Sequence, residues 1–339
     1  EDLADVFDGK RFGHIYSRIS NPTVAAFEQK ITALEDGLGA IATSSGMAAI
    51  STVLFTLVEP GDEIIAGKSL FGGTFLLFNE IFKSYGIKIT YIDGTDVESC
   101  KKAISPQTKL IFLETLGNPR LDVPDIKAIA EIARDNHLPL VVDSTLTTPY
   151  LFSAKQFGVS VVIHSTTKYI TGSGSAIGGI LVDLGNFDWS HAPTNKVKKL
   201  TEKTGEMAFL YRARRQVMQN TGCCHSPFNA YLQNLGLETL SLRMEKHCQN
   251  ALLLAKYLQS NPKVREVNYP GLPENPYHRI AEKQFKGKFG GLLTFRLGTK
   301  EKCFEFIDHL KLVKNLANLG DAKTLIIHPA STIYHDCSP

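Results

Sequence analysis

Two short stretches of the chain decide the fold class: LPLVVDST at residues 138–145 and VSVVIHSTTKY at residues 159–169. Each is a continuous apolar run that ends in polar residues, which is typical of the buried strands of a parallel sheet. The second run passes directly into hydroxyl side chains and Lys168. Because ligands of such sheets bind beyond the carboxyl ends of the strands, Asp143 and Lys168 are the first candidates for a functional site.

The surrounding sequence repeats the same alternation of strand and helix. Further apolar runs predict strands at residues 63–66, 87–92 and 109–113, and apolar residues at helical spacing predict helices at 74–84 and 123–135. This order predicts an α/β fold with a mostly parallel sheet covered on both faces.

The pattern changes after residue 185. Residues 189–206 are polar and predict a loop, and residues 237–259 predict a long helix, with a possible kink. Strand-like runs at 264–269, 291–296 and 324–328 then predict a smaller α+β unit. A chain of 339 residues is long enough for one large and one small domain.

Composition excludes several classes of protein. A net charge of +3 with 43% hydrophobic and 21% charged residues argues against a disordered chain or a nucleic-acid-binding tail. No apolar run approaches ~18 residues, so we expect no membrane span. The six cysteines have no zinc-site spacing, which predicts no metal site and favours free thiols in a reducing, cytoplasmic compartment.

A third stretch, TSSGMAAI at residues 43–50, resembles a helix start that could bind phosphate. With Lys168 and Asp143 it suits pyridoxal 5'-phosphate (PLP), which needs a lysine for its imine, an acid beside its pyridine nitrogen and a phosphate cradle. Simpler interpretations exist for each part alone, since such a lysine is usually a surface residue and such an aspartate can cap a turn. The predicted cradle consists of Ser45, Gly46, Met47, Ser165 and Thr167.

Four motifs then carry a resemblance to a known family: YSRISNPT at 16–23, SGMAA at 45–49, FGGT at 71–74 and STTK at 165–168. In order and spacing they resemble the Cys/Met-metabolism family of PLP-dependent enzymes. The resemblance implies fold type I, the aspartate aminotransferase-like fold of PLP-dependent transferases. It also implies an N-terminal arm at 1–40, a large PLP-binding domain at 41–225 and a C-terminal α+β domain at 226–339.

The same resemblance implies roles for individual residues. Lys168 would be the Schiff-base lysine, and Tyr16 and Arg18 would reach the phosphate of a neighbouring subunit's cofactor. The active unit would then be a dimer, and the protein a homotetramer built as a dimer of such dimers.

Other matched residues would contact the cofactor ring or the substrate. Phe71 would stack on the pyridine ring, where most relatives carry a tyrosine that assists the leaving group. Because Phe71 has no hydroxyl, that proton transfer would fall to Tyr16, Lys168 or water. Asn118 would lie near the cofactor hydroxyl and the substrate carboxylate, and Ser331 would lie at the substrate site.

Within the family, LGNPRLDV at 116–123, SPFNAY at 226–231 and NLGDAK at 318–323 look most like O-acetylhomoserine sulfhydrylases. This implies γ-replacement of acetate in O-acetyl-L-homoserine by sulfide or methanethiol, giving homocysteine or methionine in methionine biosynthesis. Methionine or cystathionine γ-lyase and O-succinylhomoserine-using cystathionine γ-synthase remain alternatives. A nicotinamide dehydrogenase is disfavoured because the dinucleotide fingerprint is missing.

The chain departs from the family pattern at its ends. Relatives continue beyond the Pro-Ala-Ser motif into a segment whose arginine clamps the substrate carboxylate, and this sequence has no counterpart of it. Relatives also have a longer stretch where residues 189–206 lie. We therefore expect the sequence to be part of a longer protein.

Overall fold

The centre of the fold is a seven-stranded sheet. The computed structural model describes residues 2–7 and 13–334. The strand order is β1-β7-β6-β5-β4-β2-β3, and β7 alone runs antiparallel to both of its neighbours. The strands are β1 (Gly39–Thr43), β2 (Glu63–Gly67), β3 (Lys88–Ile92), β4 (Thr108–Glu114), β5 (Leu140–Asp143), β6 (Val161–His164) and β7 (Gly179–Asp183).

Helices cover the sheet and form much of the rest of the chain. In order they are α1 (Asp2–Phe7), α2 (Pro22–Leu34), α3 (Gly46–Leu57), α4 (Gly72–Leu76), α5 (Val97–Ala103), α6 (Ile126–Asp135), α7 (Thr148–Leu151), α8 (Asn195–Thr204), α9 (Ala208–Arg212), α10 (Gln219–Thr221), α11 (Pro227–Glu238), α12 (Leu240–Ser260), α13 (His278–Gln284) and α14 (Lys300–Asp308). The turns of α4 and α9 widen into π-helices at Leu77–Phe82 and Ala213–Met218.

Successive residues of the central strands enter two different cores. Val141 belongs to one buried cluster and Val142 to the other, and Ile64 and Ile65 divide in the same way. Since side chains alternate between the faces of a strand, a sheet covered on both faces needs apolar residues at every position. This is why the strands appear in the sequence as unbroken apolar runs, and it confirms the predicted α/β class.

Helix starts are marked by side chains that accept backbone hydrogen bonds. The Asn21 side chain accepts from Thr23 N at 3.0 Å before α2, and the Asp125 side chain accepts from Ala128 N at 3.1 Å before α6. Proline follows the cap in α2 and α11, where its missing N–H costs nothing. None of the helices within the described ranges is long and apolar enough to cross a membrane.

The prediction of a loop over residues 189–206 is wrong. A 3₁₀ turn spans Trp189–His191, and helix α8 follows. The Trp189 ring stacks on Phe209 with centroids 4.6 Å apart, and Val197 is fully buried. Val197 and the partly buried Leu200 pack this helix against the core, and two apolar residues do not stand out among its lysines and threonines.

After β7 the chain continues into helices and, beyond α11, into two small sheets. The predicted long helix is divided at Thr239, whose backbone leaves the helical region between α11 and α12. Two small sheets follow: β8 (Glu266–Asn268) pairs antiparallel with β9 (Thr294–Arg296), and β10 (Lys314–Asn315) pairs parallel with β11 (Leu325–Ile326). The α+β texture predicted for this part of the chain is confirmed.

A buried carboxylate, Glu63, ties β2 to its two neighbouring strands. It accepts hydrogen bonds from Thr90 at 2.6 Å and Thr108 at 2.9 Å, binds Lys88 at 2.7 Å and also contacts Ser105. Burial by itself raises the pKa of Glu63, but the hydrogen bonds from these four partners outweigh it and lower the pKa to about 2.

We predict that Glu63→Gln lowers the free energy of unfolding by about 2 kcal/mol at pH 7. A lowered carboxyl pKa stabilises the fold above the unfolded value near 4.5, and this stabilisation is lost as the pH falls towards 2. Urea unfolding at pH 7 and pH 3 should therefore show a much smaller difference between variant and parent at pH 3. Glu131→Gln, on the exposed surface of α6, is the matched control; an equal deficit for Glu63→Gln at both pH values would contradict the prediction.

Candidate active site

The candidate site lies at one edge of the large sheet. The carboxyl ends of β1, β4, β5 and β6 meet there, and the reversed β7 brings its first residue, Gly179, to the same edge, opposite Thr43. The segment after β6 carries Ser165, Thr167 and Lys168 across this edge.

Lys168 lies on a tight turn after β6. Its Nζ donates to Asn318 Oδ1 at 3.0 Å, and burial lowers the pKa of its amine. The guanidinium of Arg243 donates to the carbonyls of Tyr169 and Ile170 and so fixes the backbone next to the lysine. A desolvated amine of lowered pKa is a nucleophile and a base near neutral pH.

Asp143 ends β5 and is half-buried. Its Oδ1 accepts from Thr145 N at 2.9 Å, and Thr145 Oγ1 in turn accepts from Ser165 N at 2.8 Å. Burial raises the pKa of Asp143, while hydrogen bonds from Thr145 and the charge of His164 act in the opposite direction. A carboxylate in this position can stabilise a cationic ring nitrogen.

The start of α3 forms the third part of the site. Ser45 caps the helix by accepting from Ala48 N at 3.1 Å, so the N–H groups of Gly46 and Met47 are among the donors that have no partner within the helix. A Cβ on Gly46 would lie 2.7 Å from Ser165 Cβ, and a Cβ on Gly179 would collide with the carbonyl oxygen of Ser45. Three backbones therefore meet closely beside the helix N-terminus.

The structure places Thr167 in a different set of contacts from the predicted one. Its hydroxyl donates to Gly178 O at 3.1 Å and accepts from Gly178 N at 3.0 Å. These bonds close the loop that carries Lys168. The role of Thr167 in a phosphate cradle stays a prediction. Its hydroxyl would have to release Gly178, or to contact the phosphate while still bound to Gly178.

Phe71, Met47 and Asn118 belong to a further group of contacts at the site. Phe71 precedes α4 with 42% of its surface exposed, and its ring and Met47 Sδ both lie close to Gly73. Asn118 accepts a hydrogen bond at its carbonyl oxygen from the Tyr334 hydroxyl at 2.9 Å, and the Tyr334 ring lies against Gly72. The loops that begin at Phe71 and Asn118 are thus joined by Tyr334.

Two predicted groups have contacts that lead away from Lys168. Arg18 donates to Gln219 O at 2.6 Å and lies 5.4 Å from the ring centroid of Tyr16, which is 58% exposed. Ser331 hydrogen bonds with His328 Nδ1 at 2.8 Å and lines a groove beside α14. Within the described residues, neither side chain hydrogen bonds to Lys168, Asp143 or the start of α3.

Three residues at the site had no site role predicted from the sequence, although Asn318 begins the quoted motif at 318–323. Asn318 contacts the lysine amine, Glu114 accepts from Phe71 N at 2.6 Å, and Tyr334 contacts Asn118. For Glu114 a signal existed, because it is an acid at the end of an apolar strand, as Asp143 is. Asn318 and Tyr334 come from the smaller unit, and their positions depend on how that unit packs.

The arrangement fits pyridoxal 5'-phosphate. The glycines at 46 and 179 keep the helix start open to a phosphate, Asp143 suits the protonated pyridine nitrogen, and the amine of Lys168 suits the aldehyde carbon. Phe71 offers a partly exposed ring that can cover an aromatic ligand.

Comparisons with known proteins agree with this chemistry. The model of the family described as Cys/Met metabolism PLP-dependent enzyme matches residues 1–339. O-acetyl-L-homoserine sulfhydrylase 1 of Thermus thermophilus is 43% identical over 100% of this chain and 83% of its own length.

Two solved structures are similar over most of the chain. An O-acetylhomoserine sulfhydrylase of Wolinella succinogenes is 45% identical, with a TM-score of 0.85 over 90% of this chain and 88% of that one. A putative O-acetylhomoserine (thiol)-lyase of Campylobacter jejuni is 36% identical, with a TM-score of 0.91 over 99% and 82%, and carries a pyridoxyl-lysine phosphate.

The close contact at Gly179 generates a prediction. Gly179→Ala should weaken PLP binding at least tenfold, because the added methyl group meets the backbone carbonyl of Ser45, which cannot rotate away, and pushes back the start of α3. Titration of the apoprotein with PLP, followed by absorbance, measures the affinity.

Gly39→Ala is the matched control. Gly39 lies at the far end of the same β1–β7 pair, and its added methyl group meets only the movable tip of Leu210 at 2.8 Å. Equal PLP affinities for the two variants would contradict the role given to Gly179.

Proposed function

Because the chain belongs to the family of Cys/Met metabolism PLP-dependent enzymes, we propose that it catalyses γ-replacement on an amino acid. O-acetyl-L-homoserine and hydrogen sulfide give L-homocysteine and acetate, and methanethiol in place of sulfide gives methionine. The observation that carries this proposal is the meeting of Lys168, Asp143 and the start of α3 at one sheet edge, in a chain 43% identical to an O-acetyl-L-homoserine sulfhydrylase.

The residues that hold the cofactor divide by the part they bind. Lys168 would bind the aldehyde carbon, Asp143 would face the pyridine nitrogen, and Phe71 would cover the ring. The helix start and the lysine segment would hold the phosphate through Ser45, Gly46, Met47, Ser165 and Thr167. Asn118 would lie near the cofactor hydroxyl and the substrate carboxylate, and Ser331 would reach the substrate.

When bound, PLP accepts the electron pair that is left when the α-proton of the substrate is removed. Lys168 takes that proton, and burial, which lowers the pKa of its amine, favours the unprotonated form that this step needs. Asp143 keeps a positive charge at the ring nitrogen favourable. Phe71 has no proton to give to departing acetate, which leaves readily as an anion, so proton transfers fall to Lys168, Tyr16 or water.

The active unit is a dimer in which Tyr16 and Arg18 complete the phosphate site of the neighbouring subunit, and two such dimers form a tetramer. An apolar stripe on α11 supports association: Phe228, Tyr231 and Leu235 are 68%, 52% and 52% exposed at helical spacing. The exposed Tyr16 is also available to a second copy.

The organisation and compartment follow the same proposal. Residues 1–40 form the arm that contacts the neighbouring subunit, residues 41–225 the PLP-binding domain and residues 226–339 the C-terminal domain. The protein works in the cytoplasm, which fits the free thiols of Cys100, Cys223, Cys224, Cys248 and Cys303. The partners are the amino-acid substrate and a sulfide or thiol, with no nucleic acid and no membrane.

Product analysis tests the reaction. With O-acetyl-L-homoserine and sulfide, the PLP-loaded enzyme should release homocysteine and acetate in equal amounts, and little ammonia when sulfide is left out. Lys168→Ala should abolish both turnover and the absorbance band of the lysine-bound cofactor. Ammonia and 2-oxobutyrate as the main products, with or without sulfide, would instead identify a γ-lyase.

Mixing inactive variants tests the shared site. Arg18→Ala and Lys168→Ala should each be nearly inactive alone, but a mixed dimer contains one site with both residues intact. After unfolding and refolding together in equal amounts, about a quarter of the parental activity should return. The unmixed variants refolded separately are the controls, and no recovery in the mixture would show that Arg18 acts within its own chain.

A further inference from the structure

Glu114 is a buried acid at the candidate site that the mechanism above does not use. It is the last residue of β4 and is 9% exposed. Its Oε1 accepts the backbone N–H of Phe71 at 2.6 Å. Through this bond the end of the central strand β4 holds Phe71, which precedes α4. Phe71 is also the residue proposed to cover the cofactor ring.

Glu114 is also the direct neighbour of Asp143. The two residues are partners in the parallel pairing of β4 and β5, so their side chains leave the same face of the sheet one strand spacing apart, about 4.8 Å. Two carboxyl groups so placed and shielded from water are not readily ionised together, because each negative charge opposes the other.

The surroundings decide which of the two carries the proton. Asp143 accepts a hydrogen bond from Thr145 N and lies within the electrostatic influence of His164, both of which favour its charged form. Burial raises the pKa of both acids, but fewer groups around Glu114 favour its charged form. Burial raises its pKa well above the usual value, and the charges of Asp143 and Asp122 raise it further, against the single N–H of Phe71.

We propose that Glu114 is a positioning residue of this reaction: as a neutral carboxylic acid it anchors the backbone of Phe71 and leaves the negative charge of this strand pair to Asp143. The inference rests on the proposed function, since it assigns the roles of Phe71 and Asp143 towards PLP. An ionised Glu114 would place a second negative charge beside the pyridine nitrogen. This charge would also repel the charge of Asp143.

The neutral isostere provides the sharpest test. Glu114→Gln keeps an acceptor oxygen for Phe71 N and carries no charge, so it should bind PLP with parental affinity. It should also leave the midpoint of the pH titration of the bound cofactor's absorbance within ~0.3 pH units of the parent. Glu114→Ala loses the anchor and should bind PLP about tenfold more weakly. Both readouts use absorbance and do not depend on turnover.

A double-mutant cycle shows whether Glu114 acts through Phe71. In a Phe71→Ala background, replacing Glu114 by Ala should change PLP affinity by less than about twofold, because the ring that the anchor positions is absent. Fully additive losses in the double variant would overturn the positioning role. If Glu114→Ala does not fold, the Gln variant alone still decides the charge state.

The outcomes separate this inference from the function on which it rests. If the parent apoprotein binds no PLP, the proposed function fails. If the parent binds PLP but Glu114→Gln binds it as weakly as Glu114→Ala, or moves the absorbance midpoint by a full pH unit, an ionised Glu114 is required and the inference is overturned. Asp143→Asn, which removes the charge assigned to that residue, is the positive control for a shifted midpoint.

Discussion

The close meeting of three backbone segments, at residues 45–46, 165 and 179, is the constraint on which the site depends. Glycine at 46 and 179 allows the start of α3 to lie against both the lysine segment and β7. Without this contact the helix N-terminus would stand away from the strand ends, and its free N–H groups would point into solvent. The helix start proposed to bind the phosphate and the backbone of Lys168 are therefore held together by one packing arrangement.

Electrostatics at the sheet edge follows from strand register. Because β4 and β5 pair in parallel with Glu114 opposite Asp143, the fold places two acids side by side. The proposed function needs only one negative charge there, beside the pyridine nitrogen. We propose that unequal exposure and hydrogen bonding, rather than distance, decide which of the two acids carries the charge. Lys168 is controlled by the same means, since burial lowers the pKa of its amine while Asn318 gives it a neutral acceptor.

Much of this arrangement could be predicted from the sequence, and the reasons differ by residue. Asp143 and Lys168 follow apolar strands directly, so the rule that ligands bind at strand ends identifies them from local sequence alone. Asn318 and Tyr334 reach the site only after the chain has passed through the smaller unit, and no local pattern encodes that packing. Helix α8 escaped prediction because Val197 is the single buried residue of a helix otherwise rich in lysine and threonine.

The reversal of β7 has a consequence for motion. The chain leaves the sheet at the end of β6, carries Lys168 through one loop and re-enters the sheet at Gly179 beside the strand it left. Paired bonds between Thr167 and Gly178 close that loop at its base. These bonds restrain the backbone beside Lys168, so we expect the amide hydrogens at the base of the loop to exchange slowly. We therefore expect motion around the amine to arise in the neighbouring segments, at Phe71 and Asn318, more than in the lysine's own backbone.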